Sequence, residues 1–356
     1  MLIADGPEKN LARIGPRRAV SSFNVHAMTG TTAMAVDAKA LDSLPISAYL
    51  VICEAKARLP WPREKRGQTF RGGIGLTFRK LVCHDISLDC RECPLEPQCA
   101  YPAVFRARPP ETADRLSNYA DIPQPFILAT PDTAAAGFEA GERFMLRLVL
   151  VGSAAQEIPL FLMSLKNLAD EGIGPSRAQF EIVEVRSQCP GTSDEVVYQR
   201  GNSRVRPMQR FFRAQDLMVE GDESRNTLRL RFVTPAEIKD SGQLVNRPQF
   251  GPWFRRLRDR ANALAVFFGS GAFDVDFKAL GDLANDVRLI EHRTDFGSRQ
   301  RSSSRTGQTH PIAGFSGEAT YEGEALGAFM PFVRLAEWVS VGKHATFGQG
   351  RVEVVG

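Results

Sequence analysis

Apolar positions along the chain fall into short β-branched runs and longer runs at helical spacing, and the order of these runs repeats. "ISAYLVICEAKARL" (46–59) is β-branched and apolar-rich and predicts a strand. "TFRGGIGLTFRKLV" (69–82) sets Phe70, Ile74, Phe78 and Leu81 three to four residues apart and predicts a helix opened by glycines. "PFILAT" and "ERFMLRLVLVG" then predict strands, "IPLFLMSLKNLADEG" a helix and "AQFEIVEV" a strand. The second half runs the same way. "TLRLRFVT" is a strand, "QFGPWFRRLRDRANALAVFFG" a helix, "DVRLIEHRTDF" and "GFSGEATYEG" strands, "LGAFMPFVRLAEWVSVG" a helix and "RVEVV" a closing strand.

Each half therefore reads β-α-β-β-α-β, the ferredoxin-like pattern. The expected fold is α+β: two tandem ferredoxin-like (RRM-like) domains, with a small cysteine insertion in the first. The expected boundaries are a weakly patterned leader at 1–45, a first domain at 46–200 with its insertion at 83–99, a linker at 201–225 and a second domain at 226–356. An echo supports duplication. "PLFLMSLKNLADEGIGPSRAQFEIVEV" and "GAFMPFVRLAEWVSVGKHATFGQGRVEVV" are each an apolar helix, a glycine turn with a cation, and a strand.

Composition narrows the class without deciding it. A length of 356 residues suits about two domains. Net charge is only +4, so a nucleic-acid partner has to be argued from clustering rather than from the total. "MLIADGPEKNLARIGPRRAV" lacks the apolar core of a signal peptide. No uncharged apolar run approaches the ~18 residues of a membrane helix. The expectation is a cytoplasmic protein without a membrane partner, whose six cysteines are ligands or free thiols rather than disulfides.

The charge does cluster. Eight cations and one acid lie between Lys56 and Lys80, with Trp61 and Phe70 among them. Cations for phosphates and rings for bases suit RNA. Arg63, Lys65, Arg66 and Arg71 are the candidate contacts here, the first three in an expected loop, "PWPREKRGQ". "HRTDFGSRQRSSSRTGQTH" (292–310) adds Arg299, Arg301 and Arg305 among serines and predicts a mobile loop. "VGKHATFGQGR" (341–351) adds Gly342, Lys343, Gly348, Gly350 and Arg351. Its glycines suit either a phosphate cradle or a tight helix-to-strand turn.

"CHDISLDCRECPLEPQC" places Cys83, Cys90, Cys93 and Cys99 within seventeen residues. Two cysteines two residues apart can face one ion, and two more complete a tetrahedral shell. Structural Zn2+ is the expected occupant. An iron–sulfur cluster and unligated thiols remain the alternatives. Cys53 and Cys189 read as buried small hydrophobes.

With these residues in hand, the chain resembles the CRISPR repeat-processing endoribonucleases of the RAMP superfamily. The resemblance rests on "TFRGGIGLTFRKLVC", "CHDISLDCRECPLEPQCAYPAVF" (the cysteine insertion of one branch), "GIGPSRAQFEIVEV", and the C-terminal block from "SSRTGQTHPIAGFSGEATYEG" to "VGKHATFGQGR". It implies a metal-independent cut of precursor CRISPR RNA within its repeats. A base deprotonates a ribose 2′-hydroxyl, which attacks the adjacent phosphorus and leaves a 2′,3′-cyclic phosphate and a 5′-hydroxyl. It further implies CRISPR repeat RNA, and other CRISPR-associated subunits of an effector complex, as partners. A histidine is the usual proton carrier in such chemistry. His344, His310 and His292 sit in or beside basic segments and are the catalytic candidates, whereas His26 lies in the leader and His84 adjoins the cysteines. Many family members carry a histidine between the first strand and first helix, and "PWPREKRGQ" has none. A catalytically inactive subunit that binds the processed RNA is therefore the alternative.

Overall fold

The structure is a computed structural model that describes residues 36–108, 122–202, 205–206, 210–302 and 309–356, with backbone alone for 299–302 and 309–312. In the first half, β1 (Ile46–Ala55) lies between β3 (Arg143–Val151) and β4 (Phe180–Gln188), antiparallel to both. β2 (Phe126–Ala129) flanks β3 and β5 (Glu195–Gln199) flanks β4, giving the order β2-β3-β1-β4-β5. Helices α1 (Arg63–Val82) and α3 (Ile158–Glu171) pack on this sheet. Tyr49, Val51 and Cys53 of β1 meet Phe70, Ile74 and Phe78 of α1 and Phe161 of α3 in one core. A short helix, α2 (Ala100–Phe105), follows the cysteine segment.

The second half repeats the plan. β6 (Thr227–Ala236) lies between β8 (Thr309–Glu322) and β9 (Val352–Val354), with β7 (Arg288–Ser302) outside β8. Its helices are α4 (Phe250–Phe268), the short α5 (Phe277–Leu283) and α6 (Leu326–Val339). Within each sheet the half's first strand stands between its third and fourth, so both halves are ferredoxin-like.

Alternation along β1 explains how the halves fuse. Side chains of a strand point to opposite faces in turn. Tyr49 and Val51 face the first core, whereas Ile46 and Ala48 join Ile127, Val149 and Val151 in the core of the second half. The sheet is thus apolar on both faces.

Four boundaries and elements differ from expectation. The folded region begins before residue 46: Ala38–Leu41 forms a 3-10 turn, and Leu41 and Leu44 are fully buried. The expected linker is anchored where it is described. Phe212 exchanges two backbone hydrogen bonds of 2.9 Å with Ile46 and sets its ring 4.7 Å from Trp338. The expected loop "PWPREKRGQ" is mostly helix, because Pro62 at the N-cap ends the extended run and strong helix formers follow. The expected mobile loop at 292–310 is largely a hairpin, with β7 and β8 pairing from Arg288↔Glu322 out to Ser302↔Thr309. His292, Arg299, Arg301 and His310 are therefore on strands, while Arg305 and His26 lie outside the described residues. Among the described residues no helix is long and apolar enough to cross a membrane.

Candidate functional site

The turn between α6 and β9 is built by close backbone packing. Its ends meet where Val341 N–H donates to Gly350 O at 2.9 Å. Gly342, Gly348 and Gly350 all have positive φ. A Cβ on them would lie 2.5 Å from Glu237 O, 2.7 Å from Leu128 O and 1.8 Å from Val341 O. These glycines let the turn fold and dock, so the structure assigns them to the scaffold rather than to a phosphate cradle. The docking surface is α1. A Cβ on Gly67 would meet Phe347 O at 1.8 Å. The Arg71 guanidinium lies over the rings of Phe105, Phe126 and Phe347, at 4.8, 5.7 and 5.6 Å.

This docking leaves Lys343, His344, Thr346 and Phe347 lining a cleft of about 990 Å³. Its other walls come from Arg91, Arg106 and Arg108 beside the cysteine segment, and from Arg256 and Arg260 of α4. Seven lysines and arginines and three carboxylates line it. All three carboxylates are engaged: Asp89 with Arg106 at 3.1 Å, Asp259 with Arg258 at 2.8 Å, and Glu237 with Lys343 at 3.5 Å. The surplus is positive, which favours a polyanion.

His344 is the histidine that this geometry brings into the cleft. Its backbone is left-handed, with φ at 64°, uncommon for a residue with a side chain. Its Nε2 lies 3.9 Å from Oε2 of Glu237. Glu237 is only 9% exposed, and that oxygen is buried without a hydrogen bond. A carboxylate so placed can orient an imidazole that passes a proton. His292 is held elsewhere on β7, Nδ1 2.9 Å from Thr294 Oγ1 and Nε2 3.4 Å from an Arg247 nitrogen. His310 is placed by its backbone, opposite Arg301. Tyr321 is buried with its hydroxyl donating to Pro248 O at 2.7 Å, which takes it out of proton transfer in the cleft.

The basic stretch around α1 divides. Arg66 is fully buried and corrects the expectation of RNA contact. Its guanidinium donates to the carbonyls of Trp61 at 2.8 Å, Pro131 at 3.0 Å, Thr133 at 2.8 Å and Ala135. Those carbonyls need donors that the loop cannot itself supply. Arg71 is committed to the rings above and to Gln124. Arg351 is corrected as well: it reaches Thr130 O and Glu353, and burial lowers its pKa. Arg63 is half exposed and pairs with Asp132, and Lys65 is exposed.

Cys83, Cys90, Cys93 and Cys99 line one smaller cavity of about 380 Å³. Burial pushes the Cys99 thiol up, and the other three thiols add to the shift. Among the described residues, no three or more histidine, cysteine, aspartate or glutamate side chains are arranged to hold an ion as they stand. Four thiols sharing a cavity nonetheless form a donor set that suits zinc.

Sequence reasoning missed Glu237, Arg91, Arg106, Arg256 and Arg260. A signal existed for two of them. "FRRLRDRAN" places Arg256 and Arg260 four residues apart, hence on one helix face. Glu237 carries no such signal, since only tertiary packing sets it beside His344.

Comparisons with known proteins bear on the fold that carries this cleft. Residues 230–352 match the family model for CRISPR-associated endoribonuclease Cas6, and residues 44–210 match a second model described as an N-terminal domain. An uncharacterized protein of Archaeoglobus fulgidus is 22% identical over 314 residues, covering 86% of this chain and 98% of its own. A Thermus thermophilus Cas6 product complex shares the fold at TM-score 0.53 and 17% identity, covering 87% of this chain and 99% of that one. A partial Cas6-RT-Cas1–Cas2 complex also reaches TM-score 0.53, at 10% identity, covering 88% of this chain and 46% of that one. The second ferredoxin-like half thus matches the Cas6 endoribonuclease model over residues 230–352, and the chain as a whole shares its fold with solved Cas6 structures.

Proposed function

We propose that this chain binds the repeat of precursor CRISPR RNA in the cleft between its halves and cuts it there without a metal. The observation that carries this reading is His344, paired with Glu237 and flanked by Lys343 in a cleft with surplus positive charge. His344 takes the proton of a ribose 2′-hydroxyl, and the 2′-oxygen bonds to the adjacent phosphorus. The bond from phosphorus to the 5′-oxygen breaks, and that oxygen takes a proton from solvent water. The ends are a 2′,3′-cyclic phosphate and a 5′-hydroxyl. Lys343 and the cleft arginines offset the charge that gathers on the phosphoryl oxygens. The partners under this reading are the repeat RNA and other subunits of a CRISPR complex, in keeping with solved relatives that form a Cas6 product complex and a Cas6-RT-Cas1–Cas2 complex.

The test is labelled repeat RNA in EDTA. One cut is expected, abolished by a 2′-deoxy substitution at the attacking nucleotide. Tight binding without a cut overturns the nuclease. It favours the second reading, an inactive subunit that binds the processed RNA. That reading has an observation of its own: the segment from β1 to α1 carries no histidine, and Trp61 and Arg66 there are buried.

The four cysteines are proposed to hold structural zinc, fixing the segment that carries Arg91 and Arg106. Elemental analysis of the purified protein should give one zinc per chain. Cys90→Ser should lose the zinc and lower the melting temperature, whereas a zinc-free native protein rejects the assignment.

A further inference from the structure

Arg260 enters the reading above only as one of the cleft arginines, yet it is desolvated with no carboxylate paired to it among the described residues. It stands on α4, and its Nε donates to Val339 O at 3.1 Å. Val339 ends α6, five residues before His344, so this bond ties the guanidinium to the root of the loop that carries His344. One terminal nitrogen of the guanidinium is closed off from solvent and makes no hydrogen bond. Burial alone pulls the pKa down to about 10. The carboxylate next in sequence, on Asp259, is engaged by Arg258 through two nitrogens at 3.0 and 2.8 Å. The C-terminal end of α6 supplies partial negative charge at Val339. That offsets some of the charge but leaves the terminal nitrogen without an acceptor. A buried donor on a full charge without a partner is costly, and folded proteins seldom keep one without use.

We infer that Arg260 is the phosphate receptor of the cleft, the part of its guanidinium that lines the cleft donating to a non-bridging oxygen of the RNA phosphate that His344 serves. The inference rests on the reading of the cleft as an RNA site. A guanidinium keeps its charge when partly desolvated and donates along a fixed direction, where an ammonium is a strongly hydrated point charge. Bound RNA supplies the counter-charge that Arg260 lacks in the folded chain. The contact strengthens as charge gathers on the phosphoryl oxygens, so Arg260 contributes more to rate than to affinity.

The experiment compares the native protein with Arg260→Met and Arg260→Lys. Three quantities are read: affinity for 2′-deoxy repeat RNA across a salt series, single-turnover cleavage of the all-ribose repeat, and melting of the RNA-free protein. In Arg260→Met the log–log salt slope should shrink by about 0.7, one phosphate contact. Cleavage should fall about 100-fold, and the melting temperature should not fall. Arg260→Lys should keep the slope and recover only part of the rate. An unchanged slope and rate in Arg260→Met overturns the inference. So does a melting drop with an unchanged slope, which marks Arg260 as structural. A native protein that binds without cutting, with the slope still reduced in Arg260→Met, preserves the phosphate contact and defeats only the nuclease reading.

Discussion

The two halves reverse direction from last helix to last strand in different ways. In the first, the turn after α3 closes on itself within eight residues, 172–179. Gly172 caps the helix at φ 79°, a Cβ there would lie 2.1 Å from Arg177 O, and Ile173 and Ala178 exchange backbone hydrogen bonds of 2.9 and 3.1 Å. In the second, the turn takes twelve residues, 340–351, and packs on the other half. Phe347 O presses on Gly67 of α1, and Gly348 packs against Leu128 of β2. One scaffold needs only the short form. The surplus residues of the long form carry Lys343 and His344, so the proposed chemistry lies in what the second copy adds.

The largest expected effect falls on that addition. His344→Asn keeps a residue that tolerates left-handed backbone and removes the imidazole. Single-turnover cleavage should fall by about 10²- to 10⁴-fold, while affinity for the repeat changes little. A rate within about threefold of native would return the chemistry to another group. His292 would then be next to examine.

Matched glycine substitutions separate turn from site. Gly172→Ala and Gly348→Ala both force a Cβ into positive φ and a backbone contact, and each should cost about 1–3 kcal/mol in urea unfolding. Only Gly348→Ala displaces the loop that holds His344, so only it should also slow cleavage, by about tenfold or more. Equal slowing in both would mean that the turns are coupled, and the distinction between them would fail.

The basic stretch on α1 offers a contrast on a smaller scale. Arg66→Met strips four carbonyls, one of them buried and three partly buried, of their donor and should lower stability by about 2–3 kcal/mol. The salt dependence of RNA binding should stay as in the native protein. A lower slope at native stability would restore Arg66 to the RNA surface.

How much of this was legible follows from what each feature depends on. The β-α-β-β-α-β order was readable in both halves, because alternation and helical spacing are written in residues such as Phe70, Ile74 and Phe78. The β7–β8 hairpin was not. Residues 293–298 are mostly exposed, so no apolar face alternates, and the pairing rests on ladder hydrogen bonds between the arms. Arg66 reads in sequence like its neighbours Arg63 and Lys65. Only the fold shows that Arg66 turns inward while Arg63 and Lys65 stay at the surface. His344 was legible as a histidine among glycines, but its partner Glu237, more than a hundred residues away, was not.

Lys65 gives the smallest and cleanest discrimination. It is exposed one residue before buried Arg66, on the first turns of the helix on which the long loop docks. If this face of α1 follows the RNA, Lys65→Ala removes one phosphate contact without touching a core. The log–log salt slope should shrink by about 0.7, with melting and cleavage chemistry unchanged. An unchanged slope would mean that the cations of α1 serve the fold and solvent alone. The RNA path would then be confined to the arginines of α4 and the cysteine segment, on the side of the cleft where the second copy's longer turn points.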